Sequence, residues 1–194
     1  MALITKTYHK TRQHLIDVMN EMLRHATIED ITIKALVQRA DITRSTFYTY
    51  YQDKYALFED LIEQCNQDIY FALRYVPADL PATEVRTHIY DNVWQVLTAI
   101  HNNKHIFSQL HPELRGRVLD KEIRSFKPII LQQIRYLKPH AAIDQDMIST
   151  FYLSGMISIY DLWVSKNFHI PIEELCETMT DLTMIIYTDY LFKE

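Results

Sequence analysis

Glycine is almost missing from this chain: of 194 residues only Gly116 and Gly155 are glycine. Hairpins, strand-to-helix crossovers and phosphate-cradling loops depend on residues with positive φ, which glycine adopts at the least steric cost. The first 115 residues therefore contain no Walker loop, no dinucleotide-binding GxGxxG turn and no glycine-rich nucleophile elbow. Helices need none of these turns, so the chain is expected to be all-α. Hydrophobic residues make up 48% of it, enough for a sizeable core. Its length suits one large domain, or a small domain joined to a larger one, at roughly 100–200 residues per domain.

No apolar run reaches the roughly 18 residues of a membrane span, and the opening MALITKTYHK lacks the apolar core of a signal peptide. A soluble, cytoplasmic protein without a membrane partner is the expectation. Cys65 and Cys176 lie far apart in apolar helical patterns and form no CxxC pair, which reads as two reduced core residues. The net charge of −5 opposes binding to a polyanion, but its distribution points the other way. Residues 1–58 carry eight basic and six acidic side chains, and the remainder carries 12 basic and 19 acidic. A basic module on an acidic body is the asymmetry expected of a chain whose one end meets nucleic acid.

Apolar spacing predicts a long first helix over 4–25, with Ile4, Tyr8, Leu15, Val18, Met19, Met22 and Leu23 on its inner side. Thr32 is placed to cap a second helix carrying Ile33, Leu36, Val37 and Ala40. Asp41-Ile42-Thr43 then makes a tight connection, since Asp visits left-handed backbone geometry at low cost. Thr43 caps a short third helix, RSTFYTYY, and Asp53 opens a long fourth one. Two short helices joined by a three-residue turn form a helix-turn-helix.

In the third helix Phe47 and Tyr51 fall on one side, and Ser45, Thr46 and Thr49 on the other, with Tyr48 and Tyr50 flanking them. Small hydroxyl side chains let a helix axis enter a groove. On this reading the helix sits in the DNA major groove. Ser45 and Thr46 touch base edges or a thymine methyl, Arg44 reaches guanine, and the tyrosines bond phosphates. Lys54, in the first turn of the fourth helix, adds a charged phosphate contact. The alternative is a solvated helical hairpin whose tyrosines only pack.

The stretch ITIKALVQRADITRSTFYTYYQDKYALFEDL resembles the signature of the TetR family of transcriptional regulators, in its Thr-Phe-Tyr core, the aromatic Tyr51 and the Asp-Lys opening of the fourth helix. The resemblance covers about residues 4–62. It implies a three-helix DNA-binding domain followed by a larger helical domain for effector binding and dimerisation, divided here as 1–52 and 53–194, with the helix from 53 to about 75 connecting them. The DNA contacts it implies fall on Thr32, on Arg44, Ser45, Thr46, Tyr48 and Tyr50, and on Lys54; the hydroxyls of Thr43 and Thr49 beside them are counted as DNA-binding on their position in the third helix. Asp41 stands where many members have glycine, and Arg44 precedes Ser45, so the base preference is not transferred.

Beyond the fourth helix, Pro77 and Pro81 mark a link, and Thr83 is placed to cap a fifth helix ending near Asn102-Asn103. Ile106, Phe107 and Leu110 suggest a short turn. The segment 114–137 is helical but carries Pro128, which is expected to kink it or start a new helix. Asp144 opens a helix that is apolar nearly all round and needs burial on more than one side, and after Pro171 the last helix carries another long apolar stripe. The resemblance implies that the last two helices form a four-helix interface in a two-fold dimer, assigned here to Phe151, Gly155, Ile159, Trp163, Met179, Leu182, Ile186 and Tyr190. A two-fold dimer presents two reading helices to a near-palindromic operator. The resemblance also implies a pocket for an unknown small-molecule effector, for which Tyr70, Trp94, Phe107, Phe126, Tyr152, Met156 and Tyr160 are the candidates, each equally readable as core.

The expected function is a homodimeric regulator of double-stranded DNA, a repressor released by its effector, with no cofactor; an activator of the same fold is the alternative. A second alternative is a zinc-responsive regulator. His101 and His105 lie at the i, i+4 spacing that can hold Zn²⁺, with His111 and Glu113 nearby, but no HExxH motif or cysteine completes a set. An enzyme is not expected, because glycine-poor helices rarely form an oxyanion turn.

Overall fold

The computed structural model describes residues 2–72, 76–77, 80–110, 112–137, 143–186 and 188, with the side chains of 2–6, 68, 70–72, 82, 112–113 and 137 outside that description. Among the described residues there is no strand, and the helices are α1 (Ala2–Met22), α2 (Ile33–Arg39), α3 (Arg44–Tyr50), α4 (Lys54–Ala72), α5 (Ala82–Asn102), α6 (Lys104–Phe107), α7 (Pro112–Leu137), α8 (Gln145–Ser165) and α9 (Ile172–Ile186). Two compact units divide the chain. One holds Met1–Cys65 and His105–Gln109; the other holds Asn66–Lys104 and Leu110–Glu194.

The first unit is built by local signals. Thr32 Oγ1 accepts from Ala35 N at 3.1 Å, and Thr43 Oγ1 accepts from Thr46 N at 3.1 Å, so each short helix starts on a hydroxyl cap. Between them, Asp41 adopts φ 51°, donates from its backbone N to Gln38 O, and is followed by an Ile42 N to Val37 O bond. This is a Schellman turn, usually closed by glycine. Leu15, Met19, Leu36, Phe47, Leu57 and Phe58 are fully enclosed and form the core on which α1 to α4 pack.

The same device closes α8 without glycine. Asn167 takes φ 53°, Asn167 N bonds Val164 O, and Phe168 N bonds Trp163 O, both at 2.9 Å. Phe168 is also left-handed at φ 58°, a conformation costing a bulky side chain about 1–2 kcal/mol. Its ring stacks edge-on against Trp163 with centroids 4.9 Å apart, while Trp163 Nε1 donates to Ile170 O at 2.9 Å. Burial of that aromatic corner offsets the backbone strain.

In the second unit α8 packs on α7, and α9 packs on α5. Asp144 caps α8 by accepting from Asp146 N and Met147 N. Two expectations are corrected. The fifth helix begins after Pro81 with no side-chain cap, so Thr83 is not its cap: it is the second residue of the helix, already inside the first turn. Pro128 does not start a new helix: α7 runs through it, with the exposed ring on the solvent side and one backbone hydrogen bond forfeited.

Candidate nucleic-acid interface

Helix α3 presents two unlike sides. Phe47 is fully enclosed and Tyr51, its C-cap, is 8% exposed, whereas Arg44, Ser45, Tyr48 and Thr49 are exposed. The hydroxyls are already organised. Thr43 Oγ1 lies 2.9 Å from Ser45 Oγ and 2.8 Å from Thr46 Oγ1, and Thr49 Oγ1 donates to Ser45 O at 3.1 Å. Ser45, Thr46 and Thr49 keep capacity for a further partner, since a hydroxyl has one donor and two acceptor sites, whereas the bonds from Thr46 N, Ser45 Oγ and Thr46 Oγ1 fill those of Thr43 in the free protein. The Arg44 guanidinium sits 5.9 Å from the Tyr48 ring centre, which restrains a long side chain at the rim of this face. Thr32 is exposed at the head of α2.

Tyr50 and Thr46 are half-buried rather than fully outward. Tyr50 stacks on Tyr8 of α1, with ring centroids 4.6 Å apart, a contact that sequence reasoning missed because α1 and α3 meet only in the fold.

Lys54 departs most from expectation. Its ammonium donates to Ile28 O at 2.7 Å and to Glu29 O and Ile31 O at 2.9 Å each, and these three bonds use all its donors. It braces the turn between α1 and α2 instead of presenting a free charge to phosphate. The reason is tertiary: the turn's carbonyls, left without helical partners, converge on the first turn of α4. Tyr55 adds a hydroxyl bond to Glu29 Oε2 at 2.9 Å, and this partner carboxylate pushes its phenol pKa up. Within the turn, Thr27 Oγ1 donates to Asp30 Oδ2 at 2.6 Å, which holds the Asp30 carboxyl below its ordinary range.

Residues assigned to an interface between subunits separate into two sets. Phe151, Gly155 and Leu182 are exposed, with Phe151 at 73%, and Ile159 and Ile186 are half-exposed. Trp163 and Met179 are corrected: both are enclosed by their own chain, Trp163 in the α8 corner described above and Met179 on the inner side of α9. Tyr190 lies outside the described residues. Met147, Leu162 and Ile185 are exposed apolar residues that were not singled out. Met147, Phe151, Gly155, Ile159 and Leu162 recur at three- and four-residue steps on α8, a signal present in the sequence but masked by apolar residues on its other sides.

The effector candidates also divide. Tyr152 lies with its hydroxyl 3.4 Å from Thr183 Oγ1, and Met156 Sδ is 4.0 Å from the same hydroxyl. Burial pushes the phenols of Tyr152 and Tyr160 up, and Tyr152 and Cys176 add to the effect at Tyr160. Cys176 Sγ in turn donates to Tyr90 O at 3.5 Å, and Tyr90 stacks on Trp94. These residues of α5, α8 and α9 thus adjoin one another. Phe126 is buried on α7. Phe107 belongs to the first compact unit, where its segment is anchored by His105 Nε2 to Asn20 Oδ1 at 2.7 Å and by Ile28 N to Gln109 Oε1 at 3.4 Å. The side chain of Tyr70 lies outside the described residues.

The zinc alternative gains nothing from this geometry. His105 is bonded to Asn20, and burial, then Arg24, lowers its pKa; His101 stacks on Trp163. His111 and the side chain of Glu113 lie outside the described residues, and among the described residues no group of three or more His, Cys, Asp or Glu side chains is placed to hold a metal ion.

Among the described residues the chain is helical, with a capped helix-turn-helix followed along the sequence by a larger set of helices. Residues 15–61 match the family described as bacterial regulatory proteins, tetR family, and residues 87–184 match the family described as transcriptional regulator C-terminal region. The chain belongs to the TetR family of transcriptional regulators. It is 23% identical over 149 residues to an uncharacterised HTH-type transcriptional regulator, YxbF, of Bacillus subtilis, a match covering 75% of this chain and 37% of that protein. The chain therefore spans well under half the length of this relative. Among solved structures it is similar to a TetR-family regulator of Syntrophomonas wolfei, with TM-score 0.67 at 14% identity, over 96% of this chain and all of that one. It is likewise similar to NalD of Pseudomonas aeruginosa, the secondary repressor of the MexAB-OprM multidrug efflux pump, with TM-score 0.59 at 12% identity, over 97% of this chain and all of that one. No described helix is long and apolar enough to cross a membrane.

Proposed function

We propose that this chain is a homodimeric repressor that reads a near-palindromic operator with α3 and lets go when a small molecule binds in its larger unit. The observation that carries the reading is the division of α3 into a fully enclosed Phe47 side and an exposed side of Arg44, Ser45, Tyr48 and Thr49. Arg44, Ser45 and Thr46 read base edges. Tyr48, Tyr50, Thr32, Thr43 and Thr49 bond the backbone and set the register. Lys54 acts behind this face by fixing the α1–α2 turn.

Dimerisation supplies the second reading helix, about one helical turn, or 34–36 Å, from the first. It is supported by the exposed apolar stripe on α8 and by Leu182 and Ile185 on α9. A methyl group at Gly155 would meet nothing of the same chain within 4 Å, so its smallness leaves room for another helix. The cluster of Trp94, Tyr152, Met156 and Tyr160 is the candidate effector site, suited to an aromatic or apolar molecule with a group that bonds a phenol.

Selection of bound duplexes from a random pool, repeated at several salt concentrations, tests the reading. Enrichment of an inverted repeat, with affinity falling steeply as salt rises, is expected. A pool that stays unenriched, or binding indifferent to salt, overturns it. Promoter activity is expected to rise when the regulator is deleted.

A further inference from the structure

Asp60 of α4 is the meeting point of three helices in the first unit. Its Oδ1 accepts from the Arg12 guanidinium of α1, and its Oδ2 accepts the Tyr51 hydroxyl at 2.6 Å. Both carboxylate oxygens are thus engaged. The Asp60 side chain is 17% exposed and that of Arg12 39%, so the carboxylate is sheltered while the guanidinium stays partly open to water. One turn further along, Gln13 of α1 and Gln64 of α4 exchange amide bonds at 3.1 and 3.3 Å, a second rung between the same helices.

The place of Tyr51 gives this node its importance. Tyr51 is the C-cap of α3, extended at φ −138° and ψ 135°, with its N–H still bonded to Phe47 O. Only Gln52 and Asp53 separate it from α4, whose first turn is capped by Asp53 Oδ1 accepting from Ala56 N at 2.8 Å. Two soft dihedrals per linking residue would let α3 leave α4 over a range of directions. A bond from the Tyr51 hydroxyl back to a residue two turns into α4 removes that freedom. The phenol pKa is raised by burial and by this carboxylate, and that of Arg12 is raised by its bond to Asp60.

We infer that Asp60 is a positioning residue for the reading helix: through Tyr51 it sets the angle at which α3 departs from α4, and through Arg12 it ties that angle to α1. The inference rests on the reading of α3 as the DNA-contacting helix, and it adds a residue that touches no DNA but governs sequence discrimination. Phosphate contacts tolerate a small tilt of α3, whereas bidentate base contacts do not, so loosening the node costs specific binding more than non-specific binding.

Tyr51→Phe removes only the hydroxyl, and Asp60→Ala removes the node; each and their combination are compared in the full chain. Hydrogen exchange of the DNA-free protein is expected to quicken about tenfold at the α3 amides, the scale of one hydrogen bond to a carboxylate, and to stay unchanged in α2. The ratio of specific to non-specific DNA affinity falls by a similar factor, the salt slope holds, and Tyr51→Phe adds nothing once Asp60 is Ala. Unchanged α3 exchange and an unchanged ratio in Tyr51→Phe overturn the inference, as do additive effects of the two substitutions. A fall in overall stability alone, with the ratio intact, assigns the node to folding and also overturns it. If Asp60→Ala does not fold, Tyr51→Phe decides alone. If the unaltered protein selects no DNA, the reading of α3 fails, and the exchange measurement still decides whether Asp60 holds that helix.

Discussion

The first 65 residues and the α8–α9 pair specify themselves by opposite means. In the former, every turn carries a local instruction: a threonine cap at Thr32 and Thr43, an aspartate in left-handed geometry at Asp41, an aspartate cap at Asp53. In the latter, α8 is apolar nearly all round and α9 carries apolar residues beside exposed Glu173, Glu174, Glu177 and Asp181, and burial decides which apolar residues belong to the chain's own core. Trp163 and Met179 turn inward, while Phe151, about three turns before Trp163, and Leu182, about one turn after Met179, stay exposed. The contrast teaches that local polar signals can be read in order along a chain. An apolar surface acquires meaning only from what covers it.

The largest effect tests the inward set. Trp163→Ala removes the anchor of the α8 corner and Met179→Ala hollows the inner side of α9, at expected losses of about 3–5 and 2–5 kcal/mol in urea unfolding. In the fraction still folded, subunit association measured by sedimentation is unchanged. A dimer that dissociates while its stability holds would put these two residues back at the interface.

Phe151→Asp probes the outward set. A carboxylate forced into an apolar contact costs several kcal/mol, so dimer dissociation is expected to rise by about a hundredfold or more. The monomer's melting temperature hardly moves, because the side chain is already exposed in the isolated chain. Unchanged sedimentation would leave the α8 stripe without a partner.

Lys54→Met sharpens the comparison from the DNA-binding side. Three carbonyls of the α1–α2 turn lose their donor, with an expected loss of about 1–3 kcal/mol in stability and no change in the salt slope of DNA binding. A slope reduced by about 0.9 would instead mark Lys54 as a phosphate ligand. The smallest effect belongs to Asp41→Gly. Its φ of 51° suits glycine, so relief of strain and the added freedom of the unfolded chain nearly cancel, and melting is expected to shift by no more than a few degrees.

Much of this was legible in residue order. Glycine scarcity excluded the phosphate-loop enzymes, and the caps and the Asp41 turn followed from side chains that bond their own neighbours' backbone. The exposed face of α3 followed from 3.6-residue periodicity. The role of Lys54 was not legible, because its three carbonyl partners lie 23 to 26 positions away in a turn whose approach to α4 is a tertiary event. Nor was the stacking of Tyr8 on Tyr50, or the convergence of Arg12, Tyr51 and Asp60, since each joins helices distant in the chain.

The sequence by itself determined that the chain is helical, where its short helices begin and end, and which side of α3 faces outward. These depend on interactions spanning at most a few residues, whose geometry the backbone dictates. Only the tertiary structure decided which large apolar residues of α8 and α9 are core, and which polar residues of α1 and α4 grip α3. A side chain's identity states what it can bond or bury, and its partner is chosen only when distant helices are brought together.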